Sequence, residues 1–173
     1  MMNLPPLAKK LFSLQIRYAA VMSILTLVMG LIYREISRPF YKGLTLEQES
    51  LYGHNMSLVH GHTFFLGAVI PLAMAVLAFL VMPYLNEKRL KNMLMRFKAY
   101  IIASAAALLL MVYKGLAFIM GAGQPLDGIN ASLFFGNPIL RGVLFGLSHV
   151  VIFWAVGEIM AGIFIAASKM SKE

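Results

Sequence analysis

The sequence contains no cysteine, and this absence removes several classes of function at once. Without thiols the chain forms no disulfide, no thiolate metal site and no cysteine nucleophile. Covalent haem attachment through a C-x-x-C-H motif is excluded for the same reason. Any cofactor is therefore expected to be held by histidine, methionine, tyrosine or carboxylate side chains.

Charged residues are also scarce: they make up 13% of the 173 residues, whereas hydrophobic residues make up 60%. A soluble domain of this length cannot bury so much apolar surface, so the chain is expected to lie in lipid. A hydrocarbon core of about 30 Å needs about 20 apolar residues per helix, and four such stretches occur, at 14–33, 56–84, 100–120 and 140–167. The sequence predicts an all-α integral membrane four-helix bundle, with residues 1–173 as one four-span domain.

The basic residues, which give a net charge of +8, indicate the orientation of the chain. Because the cations lie at span ends and form no basic face with exposed aromatic residues, nucleic acid is not expected as a partner. The positive-inside rule predicts a multi-pass membrane protein with both termini and the 85–99 loop on the cytoplasmic side. Ten of the fifteen basic residues lie on that side: Lys9, Lys10, Arg17, Lys88, Arg89, Lys91, Arg96, Lys98, Lys169 and Lys172.

Ionisable side chains at membrane depth are costly unless they are paired or ligated, so they point to function. Nearly all of them fall in the outer half of the predicted bundle. Glu158 is the exception, a carboxylate within the fourth span with no obvious cation nearby in the sequence. The outer set comprises Arg34, Glu35, His54, His60, His62, Lys114, Arg141 and His149.

Two chemistries fit several histidines without cysteine. One is a b-type haem held by an imidazole from each of two helices, with basic side chains at the propionates. The other is a divalent-metal site using His60, His62 and a third ligand. Residues two apart on a helix point about 200° apart, so His60 and His62 cannot chelate one ion unless the helix breaks there. The same geometry predicts that only one of them faces His149.

Depth along the spans bears on which histidine pairs with His149. At 1.5 Å per residue, His60 is expected about 6 Å below the surface and His149 about 14 Å. Tilt or an offset between helices is needed to bring them level. His62 reduces the difference to about 5 Å and is the alternate ligand.

Short motifs mark each of the four predicted spans. Tyr33-Arg34-Glu35 closes the first span, His60-x-His62 followed by Leu66-Gly67 lies in the second, a basic residue precedes Gly115 in the third, and Gly146-Leu147-Ser148-His149 lies in the fourth. By these motifs the chain resembles, over nearly its whole length, a family of small, functionally uncharacterised four-span bacterial membrane proteins. The resemblance implies this fold and a location in the bacterial cytoplasmic (inner) membrane, but no activity.

The first two spans also resemble the start of the catalytic subunit of haem-copper oxidases and nitric oxide reductases. There an Arg-x-Glu-like element followed by proline ends the first helix, and a His-Gly step in the second carries a haem ligand. Arg34-Glu35, Pro39 and His60-Gly61 correspond here. This resemblance implies His60 as an axial ligand and His149 opposite it. The chain has far fewer spans and lacks the histidine cluster of the oxygen site, so oxygen or nitric oxide reduction is not implied.

The sequence therefore predicts a cytochrome-like protein that binds haem b and acts in electron transfer, haem handling, or redox or gas sensing. The predicted ligands are His60 and His149 with His62 as alternate, and Arg34, Lys114 and Arg141 are expected near the propionates. Expected partners are the lipid bilayer, further copies of the chain and a redox protein; a stand-alone enzyme is not expected. Two alternatives stay open: a cofactor-free accessory or assembly subunit of a membrane complex, and a histidine-based metal site between subunits.

Overall fold

A computed structural model describes residues 4–172, and this range is helical with no β-strand. Four helical segments are long and apolar enough to cross a membrane, namely α1, α2 with α3, α4 and α6. The predicted all-α, four-span fold is therefore confirmed, and its cytoplasmic orientation stays a prediction. The elements are α1 (Pro6–Ser37), α2 (Leu46–Phe64), a π-helical turn (Phe65–Val69), α3 (Ile70–Leu80), a 3₁₀ turn (Met82–Tyr84), α4 (Glu87–Met120), α5 (Leu126–Ser132), a 3₁₀ turn (Leu133–Gly136) and α6 (Pro138–Met170).

The helices α2, α4 and α6 begin at residues whose side chains accept from a free N–H group of the first turn. Thr45 caps α2 by accepting from the Gln48 N–H, and the Gln48 side chain accepts from the Thr45 N–H. Thr45 and Gln48 have the spacing of a capping box, which indicates a helix start in the sequence, and the structure shows both of its hydrogen bonds. Asn86 and Asn137 cap α4 and α6 with their side-chain oxygens. Each of the four membrane-spanning segments begins before its predicted apolar stretch.

The bundle has two different ends. Residues 5–7 pack beside Leu85, Glu87 and Leu90, and α6 meets the Met82–Tyr84 turn nearby; we call this the terminal end. The other, the α5 end, is covered by α5 and the turn that follows it. Tyr52 donates to the Gln124 carbonyl at 2.6 Å, and the Phe134 N–H donates to the Tyr113 hydroxyl at 3.2 Å. The connection between α4 and α6 is thus an ordered cap.

The second span changes to π geometry immediately before Pro71. Proline has no backbone N–H, so the Gly67 carbonyl, four residues earlier, loses its α-helical donor. The wide turn accommodates this irregularity, and the Tyr100 hydroxyl of α4 donates to the Leu66 carbonyl within it. A proline within an apolar span indicates a disturbed helix, and at Pro71 the disturbance takes the form of a π turn with a carbonyl that another helix satisfies.

Glu158 has a cationic neighbour, contrary to the prediction from the sequence. Arg96 of α4 places its Nε 3.9 Å from Glu158 Oε2. The Arg96 guanidinium also lies over Trp154, with Cζ 3.9 Å from the ring centroid. Since α4 and α6 run side by side, residues far apart in sequence become neighbours, and no local spacing reveals this pair.

The close approach of α1 to the π turn depends on Gly67. A Cβ built there would lie 2.5 Å from Met22 Cβ, closer than real contacts allow, whereas one at Gly157 of α6 meets nothing within 4 Å. We expect Gly67→Ala to destabilise the protein by about 1–3 kcal/mol through overpacking. Gly157→Ala should be neutral or stabilising by up to about 1 kcal/mol because alanine loses less backbone entropy than glycine when the helix forms. Thermal unfolding in detergent compares them, and equal midpoints would contradict this packing.

The Arg96 pair generates a second prediction about stability. Arg96→Met leaves the Glu158 carboxylate without its cation, and an unpaired charge within a membrane-spanning helix costs free energy. We expect a lower unfolding midpoint in Arg96→Met and partial recovery in the double variant Arg96→Met/Glu158→Gln, since the neutral amide needs no cation. Glu158→Gln alone is the matched control. A double variant no more stable than Arg96→Met would show that the two side chains do not interact.

Candidate functional site

A cleft opens between α2 and α6 because these helices pack mainly on other elements. The α2 helix packs on α1 and α4, whereas α6 packs along α4 and meets the second span through α3 and the Met82–Tyr84 turn. The cavity between them measures about 570 Å³. We call it the α2–α6 cleft. Its lining is mostly apolar: Ser57, Leu58, Gly61, His62, Phe65, Leu66, Ile70, His149, Ile152, Phe153 and Val156.

The two histidines of the cleft are held in the same way. His62 Nδ1 lies 2.9 Å from the Leu58 carbonyl oxygen, and His149 Nδ1 lies 2.7 Å from that of Phe145. In each case the acceptor is four residues earlier on the same helix. A carbonyl only accepts, so these bonds assign the proton to Nδ1 and leave the lone pair on Nε2. This is the tautomer in which a histidine can bind a metal through Nε2.

His60 points to a different helix. Its Nδ1 lies 3.0 Å from the Thr26 carbonyl oxygen of α1. A Cβ on Gly30 would lie 3.2 Å from the imidazole, so the ring packs closely against the bare backbone of α1. The structure thus brings His149 together with His62, the alternate ligand, and not with His60. The expectation that only one of the two histidines faces His149 agrees with this arrangement.

The three cations expected at the propionates do not line the cleft. Arg34 pairs with Glu35 at the end of α1, with Nε 3.1 Å from Oε1. Arg141 donates through Nη1 to the Asn130 carbonyl at 3.1 Å and to its side-chain oxygen at 2.8 Å. Lys114 Nζ lies 5.7 Å from the centroid of the Phe118 ring. Two of the three are therefore engaged by partners elsewhere.

A site for a bare metal ion is not formed within one chain. In the described range, 4–172, no three His, Cys, Asp or Glu side chains lie close enough to hold an ion together. His60 and His62 point in opposite directions, which keeps them from binding one ion together. His60 packs against α1, whereas His62 lines the cleft.

Tyr100 and the π turn are parts of the site that the sequence did not reveal. Phe65 and Leu66 of the turn line the cleft, and Tyr100 binds the Leu66 carbonyl. π-Helical turns are rare and are frequent at functional sites. Pro71 was the available signal, since it indicates a disturbed helix, but it does not show which helix supplies the hydroxyl.

Comparison with protein families matches residues 9–165 to the model described as "Protein of unknown function (DUF2871)". No curated protein and no solved structure matches the chain. The match covers all four membrane-spanning segments, including His62, His149 and the cleft between them. The chain therefore belongs to the DUF2871 family of proteins of unknown function.

Proposed function

We propose that the α2–α6 cleft binds haem b, with His62 and His149 as its axial ligands, and that the protein acts in electron transfer. The observation that carries this proposal is that two imidazoles from different helices line one apolar cleft, each with Nδ1 bonded to a carbonyl. When bound, haem b would supply one-electron transfer between its ferrous and ferric states. Two protein ligands leave no open position for a gas or substrate, which favours electron transfer over catalysis.

The volume and the apolar lining of the cleft suit an apolar cofactor. Its volume of about 570 Å³ falls within the range of about 300–1,000 Å³ typical of ligand pockets. Gly61 lines it with open space at the position of a Cβ, so a planar group can approach the α2 backbone. Phe65 and Phe153 add aromatic walls, and such walls exclude water and tune the potential of a bound iron.

The chain's own residues would hold the ligands in place. The Leu58 and Phe145 carbonyls fix the tautomer and the orientation of the imidazole rings. Since both carbonyls belong to the same helix as their histidine, each ring is oriented by its own helix and needs no neighbour.

Of the three cations predicted near the propionates, Lys114 is the best placed to take that role. Lys114 precedes Gly115, and Gly115 packs on the backbone of Met56. Met56 in turn precedes Ser57, which lines the cleft. The Lys114 ammonium lies 5.7 Å from the centroid of the Phe118 ring, and a lysine side chain is long and flexible. Arg34 and Arg141 are tied to other partners, so we place neither at the cofactor.

The test is haem binding in a matched series of His→Gln variants. We expect the wild-type protein, expressed with haem supplied, to show a Soret band and the sharp α and β bands of low-spin haem after dithionite reduction. His62→Gln and His149→Gln should each weaken haemin binding at least about tenfold, or ~1.4 kcal/mol, because an amide is a poor iron ligand. His60→Gln is the control and should keep the spectrum.

Two outcomes would contradict the proposal. One is a wild-type protein without a Soret band. The other is a series in which His60→Gln loses the pigment while His62→Gln retains it. Size-exclusion profiles of all three variants separate loss of haem from loss of fold.

A helix-packing role, drawn from the cofactor-free alternative, is favoured for His60 alone. Its ring joins α2 to the Thr26 carbonyl of α1 and fills the space above Gly30. Interhelical polar pairs of this kind are worth about 0.6–2 kcal/mol in membranes. His60→Ala is expected to lower the unfolding midpoint without changing the haem spectrum, and unchanged stability would exclude this role.

A further inference from the structure

A second cavity, of about 600 Å³, lies at the α5 end between the last turn of α1 and the first turns of α2. We call it the α1–α2 pocket. It is separate from the cleft and is lined by polar and charged side chains, among them Tyr33, Arg34, Arg38, Tyr41, Lys42 and Glu49. The pocket includes the Tyr33-Arg34 motif, which the proposed haem site does not use.

The charge around this pocket favours an anion. Glu35 bridges two guanidiniums, with Oε1 3.1 Å from Arg34 Nε and Oε2 2.8 Å from Arg38 Nη1. Each arginine is thereby engaged through one nitrogen and keeps further N–H donors. Lys42 adds a third cation, and Glu49 is the second carboxylate. Three cations against two carboxylates leave the group with net positive charge.

A buried hydroxyl supplies an independent sign of a ligand. The Tyr41 side chain is only 8% exposed. Its hydroxyl lies beside the Tyr33 hydroxyl, but no described residue meets it in good hydrogen-bond geometry. Buried polar atoms without partners are rare and call for an explanation. Tyr33 and Tyr41 direct their hydroxyls to the bare backbone of Gly53, where a Cβ would lie 2.2 Å and 3.0 Å from them.

The protonation of Tyr41 suits an acceptor-rich ligand. Burial, followed by the neighbouring Tyr33 and Glu49, raises the pKa of Tyr41 above its usual range. The hydroxyl therefore stays protonated at neutral pH and is available as a donor. A carboxylate or phosphate oxygen accepts such a bond, whereas a cation does not.

We propose that the α1–α2 pocket binds a phosphate group through the Tyr41 hydroxyl and the guanidiniums of Arg34 and Arg38. Arginine forks match phosphate oxygens, and charge-assisted hydrogen bonds to them are strong. A phosphate also presents more acceptor oxygens than a carboxylate, so it can accept from several of the pocket's cations and tyrosine hydroxyls at once. The pocket lies where two spans end, at the level of lipid headgroups. A phospholipid headgroup and a soluble phosphate compound share this chemistry.

Binding to delipidated full-length protein in a zwitterionic detergent tests the proposal. Calorimetry measures the binding of inorganic phosphate and of short-chain phosphatidylglycerol in two separate titrations. We expect Tyr41→Phe and Arg38→Gln to weaken binding about tenfold each, because each removes a donor to an anion. Lys91→Gln, at the terminal end on α4, is the matched control for loss of a cation and should bind as the wild type.

The two titrations distinguish the source of the phosphate. Binding of phosphatidylglycerol alone assigns the pocket to a lipid headgroup, and binding of both ligands shows that the phosphate itself suffices. Absence of binding in both titrations overturns the proposal. So does wild-type affinity in Arg38→Gln, whose exposed side chain can be changed without disturbing the core.

Discussion

Every polar group at membrane depth needs a partner within the protein, and this requirement shapes both the fold and the cleft. His62 and His149 meet it within their own helices, through the carbonyls of Leu58 and Phe145. Because Nδ1 is satisfied in this way, neither ring depends on a neighbouring helix. Nε2 keeps its lone pair, and its direction is set by the rotation of the helix that carries the histidine.

The position of α4 determines where the Nε2 lone pairs of His62 and His149 can act. This helix contacts α1, α2 and α6, and its residues Phe97 and Tyr100 form a stacked pair in the buried core with ring centroids 5.7 Å apart. The second span and α6 approach each other at the terminal end, where α3 and the Met82–Tyr84 turn meet α6. Toward the α5 end they are separated by the α2–α6 cleft. Close packing at one end and separation at the other create a cavity in a bundle of only four spans.

The sequence predicted features that depend on local spacing and composition. Four apolar stretches indicated the four spans, Thr45 and Gln48 indicated the start of α2, and the two-residue spacing of His60 and His62 predicted opposite directions. Contacts between helices were beyond such reasoning. The position of Arg96 beside Glu158 and the bonds of Arg141 to Asn130 depend on how α4, α5 and α6 are arranged in space. From its charge and depth alone, Arg141 was therefore predicted near the propionates of a cofactor. In the structure it binds Asn130 of the cap.

The selection of His62 over His60 follows from three close approaches that fix the rotation of α2. Gly30 lets the His60 ring pack on α1, Gly53 leaves room for the Tyr33 and Tyr41 hydroxyls, and Gly115 of α4 packs on the backbone of Met56. Turning α2 enough to bring His60 into the cleft would break all three contacts. The glycines belong to three different helices, so their combined effect cannot be read from the His-x-His motif alone. One face of α2 thus contributes to the α1–α2 pocket while another presents His62 to α6, and the same packing holds both faces in register.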